Sequence, residues 1–287
     1  GVTKWLLTQG AKVLLTDSAS ESALALQLDK LGTHANLQIV FGSHRMEDFT
    51  DTDVVVVNPA VPMPWANTYL QAAWGAGVCV TTEIELVAMQ LDRQNVIGVT
   101  GTSGKSTTAS MMHAALCSAG KRCRLAGNIG GSLLGEITTI LEDEIVVLEL
   151  SSAMLWWLDK NGGWSPSIAV LTTIEPNHID WHGSFEAYKT CKKLLFAYQV
   201  EGDISLTQDQ GATFGGLTVL GKHNECNAAV AFLAVIAAGA DPDLARAGIQ
   251  QFRGLPHRLE FVRQGYYNDS KSTTPSATKL AVDSFDD

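Results

Sequence analysis

In Val99-Thr100-Gly101-Thr102-Ser103-Gly104-Lys105-Ser106-Thr107 an apolar run breaks into glycines and then into a helical pattern. Asn95 to Val99 reads as a buried strand and Thr107 to Ala119 as a helix. A tight loop between a strand and a helix N-terminus turns backbone N–H groups toward one point, where the helix dipole favours an anion. Lys105 adds a mobile positive charge, and the Ser106 hydroxyl is placed to reach a metal ion carried by phosphates. A strict phosphate-loop pattern has glycine where this chain has Val99, so the loop is a variant of the form G-T-x-G-K-S. A plain glycine turn beside a surface lysine accounts for the glycines but not for the order strand, turn, helix.

The bulk composition limits what such a loop can serve. The chain has 287 residues, 46% hydrophobic and 17% charged, which fits an ordinary globular protein of about two domains. A net charge of −10 excludes generic binding to nucleic acid or to an anionic membrane, both of which need a basic surface. Phosphate recognition must then rest on a few local cations, backbone amides and metal. The five cysteines (Cys79, Cys117, Cys123, Cys191, Cys226) are scattered and lack CxxC spacing, which fits reduced thiols better than disulfides or a zinc site. The longest apolar run, around Ala228 to Ala238, is too short to span a bilayer.

On the N-terminal side of the loop, helical and strand patterns alternate. Val2 to Gln9 reads as a helix, Lys12 to Thr16 as a strand, Glu21 to Leu31 as a helix, and Gln38 to Phe41 and Asp53 to Val57 as strands. This alternation predicts an α/β fold with a parallel sheet covered on both faces and a ligand site at the carboxyl ends of its strands. Asp17 and Ser18 fall at such an end, where Asp17 is as well suited to cap the next helix as to touch a ligand. A helix that opens the chain ahead of any strand implies that a first strand is missing. A polar joint, Asp92 to Asn95, marks a domain boundary.

On the C-terminal side, Gly127-Asn128-Ile129-Gly130-Gly131 is a glycine-flanked loop. Ile145 to Leu148 is strongly β-prone, and Glu149 at its end is a suitable metal ligand. Ile168 to Leu171 is the next strand, running into Thr172 to Asp180. His178 there completes a magnesium shell with Ser106 and Glu149. Phe185 to Tyr198 reads as a helix whose lysines, Lys189, Lys192 and Lys193, by default face solvent. Gly211 to Leu220 reads as hairpin-like, Cys226 to Ala238 and Asp243 to Phe252 as helices, and Gly254 to Arg258 as an interdomain joint. A strand at Leu259 to Val262 and a helix after Pro275 open a third α/β unit, so both ends of the chain look cut.

Six motifs carry a resemblance to the Mur ligases: Gly101-Thr-Ser-Gly-Lys-Ser106, Glu149-Leu-Ser-Ser152, His178-Ile-Asp180, Gly221-Lys-His-Asn224, Gly254-Leu-Pro-His-Arg258 and Asn268-Asp-Ser-Lys-Ser-Thr273. The GTxGK[ST] loop is shared across that family and with folylpolyglutamate synthases, whereas Asn268-Asp-Ser-Lys271 resembles the branch that adds D-glutamate. The resemblance implies three domains. Residues 1–92 would form a Rossmann-like, parallel-sheet domain that binds the UDP substrate, and residues 93–253 a central P-loop-type α/β domain that binds ATP. Residues 254–287 would be the beginning of a C-terminal Rossmann-like domain, the D-glutamate pocket lying outside the chain.

The implied reaction is ATP-dependent amide formation between UDP-N-acetylmuramoyl-L-alanine and D-glutamate through an acyl phosphate, with two Mg2+ ions, in peptidoglycan precursor synthesis. By similarity, Gly101 to Thr107 hold the phosphates and Asn128 lies near the γ-phosphate. Asn224, Asn227 and His257 border the adenine, Arg258 the phosphates and Asp269 the ribose. Lys271 and Thr273 face the UDP substrate, and Asp17 and Ser18 approach the uracil. Lys105, Glu149, His178 and Lys192 are the catalytic set. Ser106, Glu149, His178 and a carbamylated Lys192 are the metal ligands. Ser103 stands where many relatives have Asn, and Ala60 replaces a glycine of a family turn. The resemblance further implies a monomer of the bacterial cytoplasm. Competing readings are another Mur ligase, a folylpolyglutamate-synthase-like ligase, or a nucleotide-binding module without turnover.

Overall fold

The computed structural model describes residues 1–208, 214–272 and 275–285, with the side chain of residue 276 left aside. The chain divides into two compact units, Gly1–Gln90 with Gly131–Ile140, and Leu91–Gly130 with Leu141–Asp287.

In the first unit the elements run α1 (Val2–Thr8), β1 (Val13–Asp17), α2 (Ala25–Leu31), β2 (Leu37–Phe41), α3 (Glu47–Thr50), β3 (Val54–Val57), α4 (Thr68–Gly75), β4 (Cys79–Thr82) and α5 (Glu83–Ala88). The strands are parallel, as the alternating pattern predicts, but they form two separate pairs, β1 with β2 and β3 with β4. No strand among the described residues bridges the two pairs. Every residue of β1 consequently stays half-buried, and Val54 of β3 is exposed, so the expected double cover is incomplete here. The firmest joint is the β4–α5 turn, where the Glu85 carboxylate accepts hydrogen bonds from Thr82 N at 2.8 Å and Thr82 Oγ1 at 3.0 Å, a capping box.

The second unit continues with β5 (Val96–Thr100), α6 (Lys105–Ser118), β6 (Cys123–Gly127), β7 (Ile145–Glu149), α7 (Ser152–Lys160), β8 (Ile168–Leu171), α8 (Ile179–His182), α9 (Phe185–Ala197), β9 (Ile204–Thr207), α10 (Lys222–Ala237), α11 (Pro242–Gln250), β10 (Glu260–Arg263), β11 (Tyr266–Asn268) and α12 (Pro275–Asp283). Five parallel strands stand in the order β6-β7-β5-β8-β9, so β5 is central and the chain crosses over on both sides of it. This is the arrangement that opens a crevice beyond the strands' carboxyl ends.

Side-chain alternation along β5 sorts the two layers of cover. Ile97 and Val99 join Met111, Met112 and Leu116 of α6 and the alanine-rich face of α10 in one continuous core. The small residues of α10, among them Ala228, Ala231 and Ala234, are fully buried there. Gly98 and Thr100 point to the opposite face, where Leu195 and Lys192 of α9 lie. Both faces of the central strand are thus covered, and all five of its residues are buried. The segment read as hairpin-like falls partly on residues 209–213, outside the described residues, and residues 214–220 contain no strand. Beyond the expected third-unit strand, β10 pairs antiparallel with β11. Among the described residues no helix is long and apolar enough to cross a membrane.

Candidate active site

The loop from Gly101 to Gly104 joins buried β5 to α6 and is held by the segment that follows β8. Thr102 N donates to Thr173 O at 2.6 Å, Thr172 Oγ1 donates to Ser103 O at 2.6 Å, and Ser103 N donates to Thr173 Oγ1 at 3.1 Å. Two glycines are required by this closeness. Gly101 has φ +151°, and a Cβ there would stand 1.9 Å from Thr172 Oγ1. Gly104 has φ +85°, and its Cβ would fall 2.4 Å from Asn227 Oδ1. The first N–H groups of α6 have no partner within the helix, so Lys105, Ser106 and Thr107 present donors beside the loop. Lys105 Nζ folds back and donates to Gly101 O and Thr102 O, both at 2.9 Å. The lysine is therefore half-buried rather than freely exposed to a ligand, because the loop's own carbonyls engage its ammonium.

Beyond the cradle, β7 delivers Glu149, which is 1% exposed. Its Oε1 accepts a hydrogen bond from Asn128 Nδ2 at 2.9 Å, and Asn128 N is tied to Glu149 O at 2.8 Å. Its Oε2 is buried with no hydrogen-bond partner among the described residues. From the other layer, α9 delivers Lys192, 2% exposed, with Nζ 3.5 Å from Thr100 Oγ1 and 4.8 Å from the centroid of the Tyr188 ring. The default reading of a solvated lysine face holds for Lys193, which is exposed, and fails for Lys192, because the α9 face carrying Tyr188 and Lys192 turns toward β5.

In this corner two buried amines crowd one buried carboxylate. Burial first, then the neighbouring Lys105, lowers the Lys192 amine to about 6. Burial also lowers Lys105, which Glu149 opposes and Arg258 reinforces. His178, in the left-handed region at φ +50°, is lowered by burial and by Lys192. Its ring centroid is 6.2 Å from that of Tyr188, whose hydroxyl lies 2.9 Å from Thr102 Oγ1. His182 is held at about 4 by burial and Lys192, and its Nε2 pairs with Ser152 Oγ at 2.9 Å. Glu149, His178, Lys192 and Lys105 are thus brought into one electrostatic neighbourhood.

A cavity of about 300 Å³ opens on the other side of the loop, lined by Ser103, Gly104 and Thr107 and by Asn224, Asn227, Arg258 and Asp269. Asn227 is 2% exposed. Its Oδ1 accepts from Gln208 Nε2 at 2.9 Å and Thr108 Oγ1 at 3.3 Å, and its Nδ2 donates to Asn224 Oδ1 at 3.1 Å. Both asparagines form cavity wall while their polar atoms are engaged within the protein. Asp269 accepts from Leu259 N at 3.1 Å and from Ser272 Oγ at 2.5 Å.

His257 is off this lining. It sits at φ +64°, exposed, with Nδ1 2.7 Å from Asn268 Nδ2. Lys271 is also exposed and off the lining, its N donating to His257 O at 3.1 Å. Thr273 lies outside the described residues. In the first unit, Asp17 Oδ1 accepts from Ala19 N at 2.8 Å, and Ser18 is exposed at the end of β1.

Thr172, Thr173 and His223, which clamp the loop or line the cavity, fall in segments the sequence marks but had no role of their own there. The Thr172-Thr173 pair at a strand's carboxyl end was a usable signal. His223 inside a glycine-led helix start was not.

A family model described as Mur ligase middle domain matches residues 99–214. The UDP-N-acetylmuramoylalanine–D-glutamate ligase of Roseiflexus sp. (strain RS-1) is 34% identical, the match covering 100% of this chain and 73% of that protein. The enzyme of the same name from Geobacter metallireducens is 31% identical, covering 100% of this chain and 72% of the relative. Among solved structures, a UDP-N-acetylmuramate:L-alanyl-gamma-D-glutamyl-meso-diaminopimelate ligase from Neisseria meningitides aligns with TM-score 0.58 at 17% identity, covering 87% of this chain and 93% of that one. The MurF ligase of Thermotoga maritima in complex with ADP aligns with TM-score 0.54 at 16% identity, covering 80% of this chain and 70% of its own. At those identities the structures speak for the fold.

Proposed function

The chain belongs to the Mur ligase family, and we propose from that premise that its loop, Glu149 and Lys192 serve ATP-dependent addition of D-glutamate to UDP-N-acetylmuramoyl-L-alanine. The observation that carries this reading is that two buried groups stand beside the loop: the Glu149 carboxylate, 1% exposed with Oε2 unpartnered among the described residues, and the Lys192 amine, 2% exposed and 3.5 Å from Thr100 Oγ1. Each alone is a destabilising burial; together they fit a site built around a divalent cation.

The fit to magnesium rests on the donor set. Glu149 Oε2 has a free lone pair, Ser106 is a hydroxyl in the first turn of α6, and His178 is held toward its neutral form. Burial holds Lys192 toward its neutral form, a nucleophilic amine able to take up CO2 as a carbamate, which turns it into an oxygen ligand. These residues would hold the metal, which when bound supplies positive charge to the transferring phosphoryl group.

The protein's own contribution is to position and neutralise. Attack of one anion on another needs charge compensation at the phosphoryl group. Lys105 is poised for it: a triphosphate would draw its ammonium off the Gly101 and Thr102 carbonyls. The α6 N-terminus and Arg258 add fixed positive potential on the cavity side. In the reaction, an oxygen of the alanyl carboxylate bonds to the γ-phosphorus and ADP departs. The D-glutamate amine then bonds to the acyl carbon and gives up a proton to solvent, and phosphate leaves with the bridging oxygen. Asp17 and Ser18 are candidates for the uridine end, as are Lys271 and Thr273 for the remainder of that substrate.

The test is phosphate release with UDP-N-acetylmuramoyl-L-alanine, ATP and Mg2+ across a panel of amino acids. Release that requires D-glutamate supports the reading. Release with L-lysine or diaminopimelate instead moves the chain to another branch. Nucleotide binding without release leaves a binding module.

A further inference from the structure

Away from the loop, the far end of α6 gathers three residues the proposed ligase chemistry does not use. His113 and Cys117 are four apart on α6 and share a face, and Cys123 opens β6 after a short turn. Cys117 Sγ is 3.5 Å from Cys123 Sγ and 3.8 Å from His113 Nε2, and the three ligand atoms lie within 4.8 Å of one another. Cysteines that look scattered in the sequence are thus adjacent in space.

We propose that His113, Cys117 and Cys123 form a binding site for a thiophilic divalent cation, Zn2+, separate from the magnesium site. The two sites stand apart along α6: His113 lies eight residues beyond Lys105, about 12 Å along the helix at 1.5 Å per residue. The distances match the metal. With bonds of about 2.3 Å to sulfur and about 2.0 Å to nitrogen, a tetrahedral zinc sets sulfur–sulfur and sulfur–nitrogen edges of about 3.8 and 3.5 Å. The observed 3.5 and 3.8 Å need shifts of a few tenths of an ångström, and the third edge, Cys123 to His113, lies within 4.8 Å and closes by up to about 1 Å on binding. Two thiols and an imidazole are a soft donor set that selects zinc over magnesium, whereas the oxygen-rich donors around Glu149 do the reverse.

Access is open, since Cys117 is exposed and Cys123 and His113 are half-buried. A fourth position is left for water. On binding, each thiol releases a proton to solvent and each sulfur forms one bond to the metal. The bound ion would tie the last turns of α6, whose first turn borders the phosphate cradle, to the start of β6.

The experiment is a titration of the full chain, metal-free and reduced with a phosphine, with Co2+ and then Zn2+. One equivalent of Co2+ should bring in thiolate-to-cobalt charge-transfer absorption, which Zn2+ then abolishes. Cys117→Ser, at an exposed position, should keep about half of that absorption, one thiolate of two being gone. His113→Ala should keep the charge transfer with weaker affinity, and Cys226→Ser and Glu149→Gln should leave it unchanged. Absence of charge transfer, or a band unaltered in Cys117→Ser, overturns the proposal. So does loss of two titratable thiols to a Cys117–Cys123 disulfide that no metal protects against.

Discussion

Glu149 accepts a 2.9 Å hydrogen bond from Asn128 through one carboxylate oxygen and buries the other with no partner among the described residues. The buried oxygen forgoes a hydrogen bond that a bound cation would replace. Glu149→Gln keeps an acceptor for Asn128 and removes the charge. Without metal it should be as stable as wild type or more so, by about 1–3 kcal/mol in urea denaturation. Its metal-dependent turnover should fall about 10²–10³-fold in a phosphate-release assay. A variant both less stable and fully active would mean that the carboxylate is structural.

Lys192 gives a pH signature. Its folded value of about 6 lies below its ordinary 10.5, so between those limits the unfolded chain binds more protons than the folded one. Stability therefore climbs as pH rises through that window, and the cost of Lys192 is at its full value below about pH 6. Lys192→Met removes this contribution. Its stability advantage over wild type should be greatest near pH 6 and shrink toward pH 10.5, read from urea midpoints in metal-free, CO2-free buffer. A constant offset would contradict the assignment.

Gly101→Ala tests the cradle. The added methyl meets Thr172 Oγ1 at 1.9 Å on a backbone at φ +151°. The strain should cost about 1–3 kcal/mol and break the bond that holds Ser103 O. Nucleotide affinity by calorimetry should fall with it, whereas Gly120→Ala, whose methyl meets nothing within 4 Å, should leave affinity unchanged.

Lys105→Ala should abolish turnover while changing stability by less than about 1 kcal/mol. Two hydrogen bonds to loop carbonyls are lost, and the burial of an ammonium is relieved at the same time. A near-normal rate would show that the lysine only braces the loop.

The parts of this account that were legible in the sequence are those encoded locally. A β-prone run, two glycines and a helical pattern mark the cradle, and Glu149 follows from its place at a strand's end. What stayed hidden depends on which way a face turns once the layers pack. Lys192 and Lys193 are neighbours of one chemical type, and the rotation of α9 against β5 buries the first and leaves the second in water. Asn227 sits in a helix's first turn like any polar residue, and its network with Thr108 and Gln208 exists only after α10 has docked on α6. His257 carries a family motif, but a left-handed backbone turns it off the cavity lining. The cysteines lack ligand spacing along the chain because the turn between α6 and β6 supplies the closeness instead.

The central claim is that the γ-phosphate is passed to a carboxylate and not to water. It is tested most directly with UDP-N-acetylmuramoyl-L-alanine carrying 18O at both oxygens of the alanyl carboxylate, together with ATP, Mg2+ and D-glutamate. The account predicts that each phosphate released carries one labelled oxygen, because the bridging oxygen of the acyl phosphate leaves with phosphorus. Phosphate free of label would contradict it.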